Sequence, residues 1–304
     1  MRAKTIPLAV LALALTGSAA HAYIFDALDV SSKARGMGGA WTAGADDASA
    51  VYYNPACLPT AALPSLSASY LKPNGQEFEG LAYVALAAPV AKSQAVGVSF
   101  RRFGVVGALV FDEDLDRYVE RDLLGENTFS VAHGMALMQD IHSSLSVGWC
   151  VNIYNLNFGD YSSLGSATTF GLDLGFLGTL RERTKIGFLL KNVNEPEVGK
   201  YTKEPLPQWI SAGASYTPYY GVTTELDLRA LRGEDVEVHM GMQFALTEFL
   251  DTRFGFATGP NSLTGGFTLK RGIADFPFEV NYSYSSHSVL PGTHHVSVGL
   301  AYIK

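Results

Sequence analysis

What this 304-residue chain lacks narrows the field first. Beyond its opening residues no segment offers about 18 consecutive apolar residues free of charge or glycine, so helical membrane spans are excluded. Cysteine is scarce: Cys57 and Cys150 are the only two, too few for a disulfide-stapled scaffold. Charged residues make up only 17%, and the net charge of -7 argues against nucleic acid as a partner. There is no Gly-x-Ser-x-Gly elbow, no His-Glu-x-x-His and no phosphate-binding glycine loop, and Gly36-Met37-Gly38-Gly39 does not follow a strand as a dinucleotide site requires. The chain therefore reads as non-enzymatic, with neither cofactor nor metal. His287, His294 and His295 gather around one late loop, but solvated loop histidines are the plainer reading.

What is present begins with an export leader. Arg2 and Lys4 form a basic start, Leu8 to Leu15 an apolar stretch, and Ala20-His21-Ala22 a small-x-small cleavage site. The expected mature chain starts at Tyr23. The apolar stretch is about half of what a spanning helix needs, and no cysteine stands at the cleavage site for lipidation, so the leader reads as cleaved. Residues 1–22 are thus expected to be a signal peptide.

The rest is rich in Gly (31), Tyr (15) and Phe (17), a composition that suits strands with an aromatic face. Alternation then sets the architecture. Val222, Thr224, Leu226 and Leu228 alternate with Thr223, Glu225, Asp227 and Arg229; Val236, Val238, Met240 and Met242 alternate with Glu237, His239, Gly241 and Gln243. Arg253, Lys270 and Glu279 fall on the polar side of later runs, and Asp173 on that of an earlier one. A membrane barrel needs this pattern, because each strand shows lipid an apolar side and the lumen a polar one. Counting the runs from 64–72 to 293–303 gives about 14 strands, and an even number returns both termini to the periplasmic side. Links alternate in length: 91–93, 140–142, 181–183, Thr217-Pro218 and 247–248 are short, whereas 104–126, 194–207 and 286–292 are long.

The predicted fold is all-β: a transmembrane antiparallel β-barrel of about 14 strands with a short N-terminal plug over residues 23–60 and the barrel over 61–304. A soluble β-sandwich or propeller is the competing reading, but its surface would carry more Lys and Glu. The expected location is the bacterial outer membrane, with its lipid and the barrel-assembly machinery as partners. The inward charges Glu225, Asp227, Arg229, Glu237, His239, Arg253, Lys270 and Glu279 mix both signs, which reads as a wall network rather than a selective ion path.

The run Ser31 to Ala56, SSKARGMGGAWTAGADDASAVYYNPA, resembles the plug signature of outer-membrane barrels of the PorV/PorQ type and, more distantly, of the FadL transporters. Gly159 to Ser163 with Phe170 to Gly175, Gly187 to Val193, Leu206-Pro207, Gly213 to Tyr216 and the closing run Gly292 to Leu300 are similar to later segments of the first family. That resemblance implies a protein that binds secreted or surface proteins and delivers them, as in type IX secretion, with secreted cargo or secretion components as partners. The FadL side implies instead passive transport of a hydrophobic small molecule. Apolar residues on both faces of Leu81 to Val90 favour transport; the charged lumen favours delivery. Two departures stand out, Cys57 where the family commonly has Gly, and an ending Tyr302-Ile303-Lys304 without a terminal aromatic.

Within the plug, Arg35, Gly36, Met37, Gly38, Gly39, Asp46, Asp47, Asn54 and Pro55 are the expected site residues. The glycines allow tight turns against the wall, Asp46 or Asp47 would cap a helix over Asp47 to Tyr53, and Pro55 would end it. Arg35 needs a carboxylate, with Asp173, Glu225, Asp227, Glu237 and Glu279 as candidates, forming either a latch or a permanent tie. A disulfide between Cys57 in the plug and inward-facing Cys150 is open in an oxidising compartment. The acidic link Gly104 to Glu126 is expected to be an external helix gripping a partner, or a lid.

Overall fold

The computed structural model describes residues 28–61, 64–112, 116–161, 165–273 and 276–301. The expected leader (1–22), the start of the plug at Tyr23, the loop residues Glu113, Asp114, Ser162 and Ser163, and the ending Tyr302 to Lys304 lie outside them.

The strands are β1 Ser65–Lys72, β2 Glu79–Ala91, β3 Gln94–Val105, β4 Ala108–Asp112, β5 Arg117–Arg121, β6 Leu124–Gln139, β7 Ser143–Asn157, β8 Ser166–Leu180, β9 Thr184–Lys191, β10 Glu197–Val198 and β11 Glu204–Pro205. They continue as β12 Trp209–Tyr219, β13 Val222–Leu231, β14 Val236–Thr247, β15 Leu250–Thr258, β16 Asn261–Ile273, β17 Phe276–Ser285 and β18 Thr293–Ala301. All but β4, β5, β10 and β11 form one closed barrel of 14 strands, in which β18 pairs back onto β1. Every barrel pair is antiparallel and follows chain order, as expected from the alternation, and closure leaves no barrel strand at an edge. Trp149, Ile153, Phe176, Phe188, Met240 and Phe254 point outward and are exposed, whereas Asp173, Glu225, Asp227, His239 and Arg253 point inward and are buried.

Two details depart from expectation. Pro218 does not end a strand; β12 runs on to Tyr219 through a register shift between Tyr216 and Tyr219, and the turn falls at Tyr220-Gly221. A bulge accommodates a proline because the bulged residue owes no ladder hydrogen bond. The link Gly104 to Glu126 is no helix: β4 and β5 pair as a hairpin, with the rings of Phe111 and Tyr118 at 5.3 Å. Its Val and aromatic residues pair across strands better than they line a helix.

Residues 28–61 fold inside the barrel as the plug. It holds α1 (Ser32–Gly36), α2 (Ala50–Tyr53) and a 3-10 turn over Pro55–Thr60. The helix expected over Asp47 to Tyr53 begins only at Ala50, and neither aspartate caps it: Ser49 is its N-cap. Asp47 is otherwise engaged, accepting from the Ser49 amide at 2.8 Å and pairing with Lys33 at 2.9 Å. Pro55 opens the 3-10 turn, whose cap is Asn54, its Oδ1 accepting from the Ala56 amide at 3.0 Å.

Candidate functional site

The plug meets the wall in two manners. Toward β13 to β18 the contact is polar. Asp227 Oδ2 accepts from the amides of Trp41 and Thr42 at 2.8 and 2.9 Å. Thr264 Oγ1 accepts from the Gly38 amide at 3.0 Å, and His239 Nδ1 lies 2.7 Å from the Gly38 carbonyl. Gly38 has φ +71°, and a Cβ there would strike the backbone of Phe256 and Met240, so glycine is required twice over. Toward β1 to β8 the contact is apolar: Val51, Ala56 and Leu58 of the plug pack with Leu71, Leu81, Ala85, Ala132 and Leu177 of the wall. Here Asn54 supplies one polar tie, its Nδ2 donating to the carbonyls of Thr42 at 2.8 Å and Phe176 at 3.2 Å, and Ser69 of β1 another, its hydroxyl donating to the Val30 carbonyl at 2.6 Å.

The carboxylate that Arg35 finds is none of the five wall candidates. It is Asp29, within the plug itself, at 3.0 Å. Burial alone would push the Asp29 carboxyl up, but Arg35 and Arg229 outweigh it and hold it below its ordinary value. The cation that reaches the wall is Lys33, which the sequence reading passed over. Its ammonium lies 3.1 Å from Asp46, 2.9 Å from Asp47 and 2.8 Å from Glu279 on β17. Burial would lower the Lys33 ammonium, yet those three carboxylates raise it well above its ordinary value. A lysine on the buried side of α1, in a plug that carries Asp46-Asp47 further on, was the available signal.

The remaining wall charges do not form one chain. Glu237 lies 3.1 Å from His239. Arg253 donates to Gln243 at 2.7 Å and Thr268 at 2.6 Å, while Lys270 pairs with Asp251, another residue missed from sequence. Asp173 sits across the barrel, accepting from the Asn192 amide at 2.8 Å and from Asn152 Nδ2 at 2.7 Å. Arg229 stacks over Trp209 at 5.3 Å.

Cys57 and Cys150 are both free and buried, so the disulfide left open by the sequence is not made. Each thiol is committed to its own surroundings, Cys57 toward the Thr42 carbonyl at 3.8 Å and Cys150 toward Asn152 Oδ1 at 3.4 Å. The three late histidines do not meet either. Alternation along β18 turns His295 into the lumen, where it is fully buried, while His294 lies on the other face against Tyr282 at 2.7 Å and His287 Nδ1 accepts from the Leu290 amide at 2.9 Å. No group of three metal-ligating side chains occurs among the described residues.

At the long-link end of the lumen, above α2, a small cavity of about 20 Å³ is enclosed by Tyr52 of the plug and by Tyr83, Tyr154, Arg101, Lys191 and Trp209 of the wall. It holds about one or two waters as it stands. The Lys191 ammonium sits 3.7 Å from the centre of the Tyr52 ring and 4.9 Å from that of Trp209, a cation held by aromatic faces. Its roof is the link from β9 to β12, fastened by Asn192: Oδ1 accepts from Tyr154 OH at 2.9 Å, and Nδ2 donates to the Pro207 carbonyl at 2.7 Å. Asn192 takes φ +55°, a conformation that asparagine tolerates better than most residues. Lys191, Asn192 and Trp209 were not singled out by sequence, though Lys191 shares the inward phase of an otherwise apolar strand with Lys185.

The chain resembles solved structures of plugged barrels. A FadL homologue from Pseudomonas aeruginosa superposes with a TM-score of 0.61 at 10% identity, covering 90% of this chain and 98% of that one. The fold is that of the FadL-type barrels. The toluene transporter TodX of Pseudomonas putida gives 0.61 at 10% identity, covering 88% of this chain and 96% of its own. The toluene transporter TbuX of Ralstonia pickettii gives 0.58 at 14% identity with the same coverage. No protein-family profile matches the chain, and no curated protein matches it. The finer resemblance to PorV/PorQ barrels gains no support from these comparisons.

Proposed function

We propose that this protein is an outer-membrane barrel through which a hydrophobic small molecule passes without energy input, the alternative that the sequence left beside protein delivery. The observation that carries the reading is the cavity of Tyr52, Tyr83, Tyr154 and Trp209 between a removable-looking roof and the plug, on a FadL-type fold. The aromatic faces of Tyr52, Tyr83, Tyr154 and Trp209 suit a slim apolar ligand, while Ser99, Arg101, Thr128, Ser130, Asn152 and Lys191 supply polar groups around them, and a ligand displaces one or two waters at little cost. The solved relatives named as toluene transporters lend support of the same kind. In this reading the closed cavity is a resting state, the long links face outside and the short turns face the periplasm. No catalytic step is involved.

The test is uptake of a labelled monoaromatic hydrocarbon and of a labelled long-chain fatty acid by cells carrying the protein in their outer membrane, compared with cells lacking it. Faster uptake of either, reduced by filling the cavity with Ser130→Trp, is the expected result. Equal uptake, together with a secreted protein that co-purifies with the native barrel, would return the reading to cargo delivery.

A further inference from the structure

A second cavity, of about 120 Å³, lies at the opposite end of the lumen, between plug residues 37–46 and the wall of β9, β12, β13 and β14. It has room for roughly eight waters. Two buried groups each face it with an unsatisfied atom, the Glu225 carboxyl using Ser215 for its other hydrogen bond. Glu225 is 5% exposed and its Oε2 makes no hydrogen bond; Trp41 is 3% exposed and its indole Nε1 makes none either. An unpaired carboxylate oxygen and an unpaired N–H, each out of bulk water, are costly unless something occupies the space between them. Glu225 is let into this position by Gly44, since any side chain there would collide with its carboxylate.

The opposite charge is at hand but not used. Lys185 and Arg183 border the same cavity, and neither makes an ion pair or side-chain hydrogen bond among the described residues. The cavity therefore offers a carboxylate oxygen from the wall, an indole donor from the plug and two cations at the rim, where the carboxylates of Asp46 and Glu182 also lie. Metal ions are a poor match, because Asp46 and Glu182, which border the same cavity, do not gather with Glu225 into a ligating cluster. A simple anion would meet Glu225, and a simple cation would meet Lys185.

We infer that this cavity binds a small zwitterion, a free amino acid or a molecule of that chemistry, with its ammonium on Glu225 and its carboxylate toward Trp41 Nε1 and Lys185. Each charge then gains a partner in one geometry. The site stands apart from the aromatic cavity, so the inference does not depend on the transport reading.

The experiment is calorimetric titration of the full chain in detergent with glycine, β-alanine, ethylamine and acetate. Glycine or β-alanine is expected to bind saturably, at least tenfold tighter than ethylamine or acetate, and to lose tenfold or more in both Glu225→Gln and Lys185→Met. Heat-modifiable gel migration shows whether each variant folds, and Lys185→Met, at a half-buried unpaired residue, carries the test if Glu225→Gln does not. Absence of saturable binding by any probe overturns the inference and leaves ordered water only. So does binding indifferent to the variants, or ethylamine binding as tightly as glycine.

Discussion

The two halves of the barrel wall hold the same plug by different physics. On the side of β1 to β8, Val51, Ala56 and Leu58 pack into small wall residues, and the directed polar ties come from Asn54 and from Ser69 of β1, whose hydroxyl donates to the Val30 carbonyl. On the side of β13 to β18, Asp227, His239, Thr264 and Glu279 hold backbone and charge by hydrogen bonds and an ion pair. Apolar packing is non-directional and tolerates sliding, whereas hydrogen bonds to Trp41, Thr42 and Gly38 fix one register. The apolar half seals; the polar half positions. A plug that moves would be expected to let go of the polar half last, or to pivot on it.

The largest test strikes both halves. Gly148 faces Pro55 and Ala56 on the apolar side, and Gly241 faces Met37 on the polar side; a Cβ at either would collide with plug backbone. Gly148→Val and Gly241→Val should each cost about 3 kcal/mol or more, or expel the plug, since an overpacked interior has nowhere to relax. Gly265→Ala, where the nearest atom lies at 3.8 Å, should be close to neutral. Urea unfolding from lipid vesicles reads all three. If Gly241→Val were tolerated while Gly148→Val were not, the polar half would be the looser one.

Next comes Asp227. Its Oδ2 serves two buried amides, so Asp227→Ala should cost about 2 to 4 kcal/mol and Asp227→Asn less, because an amide oxygen still accepts. Leu58→Ala on the opposite side should cost a similar about 2 to 4 kcal/mol by leaving a cavity. The two differ in kind: loss of Asp227 should raise leakage of small solutes through the barrel, while loss of Leu58 should lower stability with the register kept. Single-channel conductance separates them.

Much of this was legible in advance. Strict alternation in β13 and β14 revealed the inward face, because a lipid-facing charge is so costly that the pattern has little freedom. Asn54-Pro55-Ala56 was visible as a motif, and its cause is now plain: Asn54 caps the 3-10 turn, Pro55 starts it, and both meet wall glycines too closely for larger residues. Pairings were not legible. Arg35 stands six residues from Asp29 and takes it, while Lys33, two residues away, reaches Glu279 across more than two hundred positions of sequence. Alternation says which face a residue is on, not how deep it lies or how the plug is turned against it. Lys191 and Asn192 escaped notice because they end a strand run, where the periodic signal stops.

The Lys33 cluster gives a milder test, by pH. Asp29 and Asp47 are held below the ordinary aspartate value of 3.8, Asp47 because Lys33 and Ser49 outweigh its burial. Depressed carboxylates contribute stability above that value and lose it as pH falls through their folded values, so the plug should loosen only below about pH 3.8. Lys33 is raised above 10.5, so its contribution is full below that pH and is lost only beyond it. The contribution of these three groups to plug stability should therefore be flat between these limits. Glu279→Gln, which leaves Lys33 two carboxylates, should cost about 1 to 2 kcal/mol and raise leakage at neutral pH. Unchanged leakage would mean that the ion pair is a passive tie and that the hydrogen bonds of Asp227, Thr264 and His239 set the register without it.

The smallest effect concerns the cysteines, and it tests the sealing half. Burial pushes the Cys57 thiol up to about 12, and Cys57 and Cys150 have separate partners. Neither should react with a maleimide at pH 8 while the barrel is folded, and both should react fully once it is unfolded. Cys57→Ala should cost about 1 kcal/mol, the loss of one small buried group. Rapid labelling of Cys57 in the folded protein would show that the apolar side opens on its own, and that the seal and the latch are not divided as the resting structure divides them. Labelling that appears only when Asp227 is replaced would show the opposite dependence, with the polar register holding the apolar seal shut.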